Sequence, residues 1–443
     1  MKRLEIEDNT SYSSLRFNDI PNIVDSVLDK TLLELENTGV FIFPDNLKKE
    51  NSISEEQTIL QSKYETYYSK NIMGFLGYGD ENLIIKSRFS DKEDKKDYFF
   101  QYLLENVLKM PHVIDLSTLL DKEDNIINLL IFLFPYYLKK AMRKGLFKQY
   151  TRNKYNDDNL RGTIDIPRHI KLNTPFVGNI AYNQREFSYD NYITQLIRHT
   201  IEFIQTKKIG MNLLGSVKRE SEMIREATSC YNRLDKNKII MRNEKRPLRH
   251  AFYKEYRELQ RLCLMILQQK KHYVGDGIKK IHGILFDGAW LWEEYIATLI
   301  GEDYYHPQNK EKYGVQNLFT NEDGRKLGKI YPDFISRNKR FRIIGDAKYK
   351  PITNIANRDY LQVLAYMFRF NSNIGYYFYP DRKHLKKQIL FLNEGLSYEK
   401  SERKCENVSL IKLGVRIPKN NESYEDFTKK MKQAEQIFLS ELN

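Results

Sequence analysis

Cysteine is nearly absent: Cys230, Cys263 and Cys405 are the only three in 443 residues, far apart and without a CxxC pair. That excludes a disulfide framework and offers no zinc cluster. Long apolar runs are missing as well. The longest, over 126–138, holds Asn128 and Pro135 and is too short to span a bilayer. The opening MKRLEIEDNT is charged and lacks the apolar segment of a secretory leader. The expectation is a soluble chain in a reducing, cytoplasmic setting, with no membrane partner. Glycine (21) and proline (12) are scarce, which argues against collagenous or low-complexity character. No GxxxxGK[ST] loop occurs, so any nucleotide hydrolysis is expected from another chain. No repeat of fixed period is visible.

What is present is length, tyrosine and positive charge. A chain of 443 residues, 41% hydrophobic, can build two or three cores. Tyrosine (31) supplies much of the aromatic content and suits wet interfaces, because it buries area while keeping a polar tip. Lys and Arg (72) exceed Asp and Glu (59), leaving +13, a balance that favours a polyanionic partner.

Residues 1–93 have the pattern of mixed strand and loop, with two strands over 72–89 around the turn Gly77-Tyr78-Gly79-Asp80. Helices are expected over 97–108 and 124–148, the second ending in Lys139, Lys140, Arg143 and Lys144. A block of short strands surrounds Arg161-Gly162-Thr163-Ile164-Asp165-Ile166-Pro167. Helices follow near 190–207, 217–230 and 250–271. The pattern then changes to helix (290–300), strand (329–336), turn (337–339), strand (341–348), helix (356–370) and strand (374–379). Strands near 388–392 and 408–413 and a terminal helix from 424 complete it. Three segments are expected: 1–160, mixed β/α and partner-docking; 161–275, the strand-turn block with a helical connector; and 276–443, an α/β core with a mixed sheet flanked by helices.

The chemistry concentrates in Tyr331-Pro332-Asp333-Phe334-Ile335 and Ile343-Ile344-Gly345-Asp346-Ala347-Lys348. Two hydrophobic strands each deliver a carboxylate. Asp346 and Lys348 are two apart, so both side chains share one face of the strand. An acid beside a core needs a cation. Two such acids on adjacent strands can share a Mg²⁺, with Mn²⁺ as the alternative, leaving coordination sites for water and phosphate. Lys348 can hold or activate the attacking water. The plain alternative is a hairpin with a surface Asp–Lys pair. Gln362 and Tyr366, four apart, share one helix face. Glu293, in Leu291-Trp292-Glu293-Glu294-Tyr295, is a further candidate acid, with Glu294 as its rival.

The Asp333…Asp346-Ala347-Lys348 pattern resembles the PD-(D/E)xK nuclease superfamily, and Gln362-Val363-Leu364-Ala365-Tyr366 is similar to the QxxxY helix of RecB-like nucleases. The order of all these pieces, together with the segments 160–169 and 77–89, resembles the McrC family of McrBC modification-dependent restriction systems over about 70–400. That resemblance implies a restriction-endonuclease-like core and a Mg²⁺-dependent DNA endonuclease. Asp333, Asp346, Glu293 and the Ala347 carbonyl would be ligands, and Lys348, Gln362 and Tyr366 would be site residues. It also implies products with 5′-phosphate and 3′-hydroxyl ends, double-stranded DNA as substrate, and a McrB-like AAA+ GTPase as partner. Arg161, Asp165 and Arg168 are expected to be structural. Two rival readings stand beside it: a self-sufficient RecB-like repair nuclease, and a catalytically silent module that docks on an AAA+ ring.

Overall fold

The computed structural model describes residues 2–38, 40–43, 57–91, 97–108, 125–207, 210–272, 281–307, 315–340, 342–395 and 403–442. Contacts divide the chain into two compact units, residues 1–122 with 278–443, and residues 123–277. The chain is mixed α/β throughout.

The first unit begins with β1 (Lys2–Glu7), β2 (Ser11–Ser13), helices Pro21–Val27 and Leu32–Thr38, and β3 (Val40–Phe43). It continues with β4 (Leu60–Lys63), β5 (Thr66–Ser69), β6 (Ile72–Tyr78), β7 (Glu81–Lys86) and the helix Tyr98–Leu108. The two early helices correct the expectation of strand and loop over 1–93. Each covers seven residues, too few turns to print a helical period. The first starts on Pro21, a residue pre-set for the first helical position. Its buried Ile23, Val24 and Val27 hold it in the core. The β6–β7 pair turns at Gly79, whose φ of 60° lies in the left-handed region.

The second unit contains the helix Asn125–Met142, β8 (Gln149–Asp157), β9 (Thr163–Ile164), the helix Ile166–Leu172 and β10 (Ile180–Ser188). Helices Tyr192–Gln205, Gly210–Gly215, Lys218–Ala227, Lys236–Lys245 and Lys254–His272 follow. The helix expected to reach 148 stops at Met142, and Gly145, at φ 83°, donates its N–H back to the Met142 carbonyl. β10 lies between β8 and β9 and is antiparallel to both. A boundary at 160 would split β8 from β10, which pair along their whole length. The compact division therefore falls before this sheet and differs from the three consecutive segments.

The first unit resumes with β11 (His282–Asp287), the helix Gly288–Ile300, β12 (Tyr304–Tyr305), β13 (Gln316–Thr320), β14 (Lys326–Ile330), β15 (Phe334–Ser336) and β16 (Ile343–Ala347). Then come the helix Asn357–Phe370, β17 (Ile374–Asp381), β18 (Gln388–Glu394), β19 (Arg403–Arg416) and the helix Tyr424–Leu442. β11 joins the early strands in one sheet of order β1-β7-β6-β11-β3. Its apolar Ile284, Leu285 and Phe286 are all buried, as befits a central strand. A second sheet runs β12-β15-β16-β17-β19-β18, with β15 and β16 antiparallel and β16, β17 and β19 parallel.

The strand expected over 329–336 is broken. Pro332 has no N–H for a ladder, so β14 pairs with β13 while β15 pairs with β16. Phe341, the expected start of the next strand, lies outside the described residues. At Gly345 an added Cβ would meet the Phe378 ring at 2.6 Å, so glycine is what lets β15 and β17 close on β16.

The early strands also clasp the end of β16. Ser87 and Tyr349 share a hydrogen bond of 2.7 Å between their hydroxyls. The Arg88 guanidinium donates to the Tyr349 carbonyl, lies 4.7 Å from its ring centroid, and pairs with buried Asp8 at 3.3 Å. Burial pushes the Asp8 carboxyl up to about 7, although Arg88 opposes this. A carboxyl so raised keeps its proton in the folded chain where the unfolded chain has lost it. Its contribution thus favours folding at low pH and is lost as pH rises toward and through 7. Asp8→Asn is expected to gain stability relative to the wild type between pH 5 and pH 8, on the order of 2 kcal/mol. Denaturant melts across that range check it; a difference independent of pH would refute the assignment.

Candidate active site

Four elements deliver the candidate residues. Asp333 immediately precedes β15, Asp346 lies in β16, and Lys348 follows β16, its N–H donating to the Phe378 carbonyl of β17 at 2.8 Å. Glu293 comes from the helix Gly288–Ile300, and Gln362 and Tyr366 from the helix Asn357–Phe370. Phe334 pairs with Gly345, so the next residues, Asp333 and Asp346, meet at the same end of the strand pair. The Asp333 Oδ2 accepts the Ala347 N–H at 2.9 Å, which seats this carboxylate against the strand carrying Asp346.

Asp346 is 1% exposed, and the Lys348 ammonium lies 2.6 Å from its Oδ2. The contact is a buried ion pair. The Lys348 Nζ also donates to Gln362 Oε1 at 3.2 Å, and Gln362 Nε2 donates to the Tyr366 hydroxyl at 2.6 Å. The sequence thus placed Asp333, Asp346, Lys348, Gln362 and Tyr366 in one cluster, and the fold joins them.

The electrostatics are lopsided. Desolvation, then the charges of Glu293 and Asp346, hold Asp333 well above the usual carboxylate range. Desolvation also raises Asp346, against the pull of Lys348. Burial works against the Lys348 charge, but Asp346 and Asp333 more than offset it and keep it protonated. Lys348 as it stands is therefore a cation, not a base. Burial pushes the Tyr366 hydroxyl up to about 12, so it remains a neutral donor.

His306, Asp359 and Lys350 were not singled out from the sequence. His306 can only donate to the Asp333 carbonyl, 2.9 Å from its Nδ1, because a carbonyl only accepts. Its Nε2 faces Glu294 at 3.5 Å and Glu293 at 3.8 Å, and these acids hold it above its ordinary value despite burial. The ring stacks on Phe334 at 5.0 Å. Both Glu293 and its rival Glu294 thus reach the same histidine. Asp359 pairs with Lys350 at 2.6 Å and approaches Lys348 at 3.8 Å. It also accepts the Ala356 N–H at 2.9 Å, so an acid in the first helical turn was a usable signal. Nothing in the sequence marked His306, which follows β12 and is brought to β15 by the pairing of those two strands.

The other residues singled out lie in the second unit. Asp165 caps the helix Ile166–Leu172 by accepting the Arg168 N–H, and Arg168 donates to the carbonyls of Tyr155 and Tyr182. They serve the strand-turn block. In the basic cluster, Lys140 pairs with Glu258 at 3.1 Å and Lys144 with Glu255 at 2.9 Å, so two of its four charges are matched within the unit.

Could this cluster hold a metal ion? No three of His, Cys, Asp and Glu converge as a ready cage among the described residues. The donors present nevertheless suit a hard dication. Two carboxylates crowd one strand end with a single ammonium as their nearby counter-charge. Mg²⁺ is commonly held by one or two carboxylates and water.

The family model described as McrBC 5-methylcytosine restriction system component matches residues 68–380. The chain belongs to this family. No curated protein matches it. Among solved structures it is similar to a chain of the "Refined half-complex from tetradecameric assembly of Thermococcus gammatolerans McrB AAA+ hexamers with bound McrC". Identity there is 14%, the TM-score is 0.51, and the match covers 98% of this chain and 100% of that one. The likeness shows the fold. A chain of the Thermococcus gammatolerans McrBC complex matches at 14% identity and TM-score 0.32, over 68% of this chain and 87% of that one. The matched span of this McrBC-family chain includes every candidate site residue. No helix among the described residues is long and apolar enough to cross a membrane.

Asp333 and Asp346 should respond oppositely to neutralisation. Asp333→Asn removes a repelled charge and is expected to raise the melting temperature in EDTA. Asp346→Asn strands the Lys348 ammonium and is expected to cost on the order of 2 kcal/mol. Thermal melts of both variants check this, and equal shifts of one sign would contradict the charge assignment.

Proposed function

We propose that this McrBC-family chain is the Mg²⁺-dependent DNA endonuclease subunit of a restriction system, built on a PD-(D/E)xK core. The observation that carries the reading is the convergence of Asp333, Asp346 and Lys348 at one end of the β15–β16 pair. Helix, antiparallel strand pair, crossover helix and parallel strand support that core.

Asp333 and Asp346, with Glu293 and the Ala347 carbonyl as further donors, would hold the cation. Bound there, it would neutralise charge on the scissile phosphate and acidify water. Lys348, kept protonated by Asp346, offsets phosphate charge and orients the attacking water by donating to it. Gln362 fixes the ammonium, and Tyr366 fixes Gln362. His306 steadies the Asp333 main chain and holds Glu293 in reach. Hydrolysis leaves 5′-phosphate and 3′-hydroxyl ends.

The chain has no nucleotide-binding loop, and its family is that of a 5-methylcytosine restriction system. The reading therefore includes methylated double-stranded DNA as substrate and a McrB-like AAA+ GTPase as partner. Docking on that partner is assigned to residues 123–277. The early strands, which share a sheet and a clasp with the catalytic core, are assigned to supporting it.

In a mixture with the partner, GTP and Mg²⁺, the wild type is expected to cut methylated plasmid. Asp346→Ala and Lys348→Ala should each lose at least a hundredfold in cutting, while stimulation of partner GTP hydrolysis persists. Near-wild-type cutting by Asp346→Ala would end the reading. Robust cutting by the lone chain without nucleotide would favour a self-sufficient nuclease.

A further inference from the structure

β13 and β14 form a two-stranded sheet of their own. Isolated hairpins are marginal in water, so this one needs an anchor. The anchor is at its root. Leu318 and Ile330 pack into the cluster containing Ile344, Val363 and Tyr366. Arg369, on the helix that carries Gln362, donates to the Asn317 carbonyl at 2.9 Å and reaches Gln316 Oε1 at 3.4 Å. The tip is closed by a tight turn in which Asn321 and Arg325 bond each other and Gly324 takes φ 79°.

Between root and tip the arm carries side chains that no core explains. Phe319 and Leu327 are cross-strand partners, 65% and 43% exposed. Cross-strand partners share a face, so they make one apolar patch in solvent. Lys326 and Lys329 on the same strand are exposed, as is Arg325 beside the turn. The acids Glu322 and Asp323 are confined to the turn itself. Tyr331, 40% exposed, follows at the foot, two residues before Asp333.

We propose that the β13–β14 hairpin is a DNA-gripping arm, which holds the duplex beside the cut through Phe319, Leu327 and Tyr331 and through Lys326 and Lys329. Exposed aromatic and apolar groups interleaved with lysines suit a nucleic acid: the apolar groups pack on sugars and groove edges of the duplex, and the cations meet phosphates. Position selects DNA over a protein partner. The strand that carries these residues runs directly into Asp333, so a phosphate held at Asp333 brings its flanking nucleotides along the arm. The proposal rests on the nuclease reading of that site.

The test uses the full-length chain and a short fluorescein-labelled duplex. Binding is read by anisotropy in EDTA over a salt series, and cutting of the same duplex is read separately with Mg²⁺ and the partner GTPase. Phe319→Ala combined with Leu327→Ala is expected to weaken binding about tenfold, as loss of apolar area buried against the duplex. Lys329→Ala should make the plot of log affinity against log salt shallower by about one. It is an exposed position, so it carries the test if the apolar double variant loses its fold. If the wild type binds and cuts while these variants bind with unchanged affinity and salt slope, the arm is overturned and the nuclease reading stands. A wild type that neither binds nor cuts DNA overturns both. Unchanged DNA binding with altered self-association would overturn the proposal in favour of a protein contact.

Discussion

Two carboxylates buried at one strand end with one ammonium between them set the terms for the first unit. A lone buried carboxylate is costly, and a second beside it more so. Lys348 meets Asp346 directly, while Asp333 has the Ala347 N–H but no cation of its own within ion-pair distance among the described residues. That leaves a shortfall of positive charge at a defined point. Much of the surrounding architecture serves to keep these groups together. Gln362 and Tyr366 hold the ammonium from a crossover helix, Asp359 and Lys350 flank it, and His306 steadies the Asp333 main chain. A folded chain that maintains such an arrangement carries a stability cost there, the pattern that marks a candidate functional site.

The early strands are part of that support. β11 lies between β6 and β3, so the strand leading into the helix of Glu293 is fixed by residues from the start of the chain. Arg88 reaches the carbonyl of Tyr349, next to Lys348, and takes its own position from buried Asp8 and from Asn71. Tyr102 and Tyr295 both donate to Glu435, tying the helices Tyr98–Leu108, Gly288–Ile300 and Tyr424–Leu442 together. The unit that carries the candidate site is therefore assembled from both ends of the chain. Residues 123–277 form their own compact unit.

Much was legible beforehand, for local reasons. Asp346 and Lys348 had to share a face because strand alternation is a property of the backbone. Gln362 and Tyr366 had to share one because a helix repeats every 3.6 residues. Most longer elements were recovered near their observed bounds, as with 374–379 against Ile374–Asp381. Pro332 was visible in the sequence, yet its consequence was not. It divides one expected strand between two sheets, because a missing N–H matters only once a neighbour is there to accept it.

Residue types, spacing and local geometry came from the sequence alone: a paired-carboxylate strand motif, a supporting helix, no GxxxxGK[ST] motif, and a charge balance that favours a polyanionic partner. Which distant segments complete the site was decided only by tertiary structure. His306 returns to Asp333 across 27 residues, and Arg88 to Tyr349 across 261. Hydrogen bonds between groups so far apart in the chain have no periodic signature, because the closing loops can take many lengths at little cost. The same holds for β11, an apolar strand whose sequence gave no sign of the sheet it would enter. Period and chemistry are written locally, whereas the choice of partner follows from which buried faces remain to be covered when the whole chain has folded.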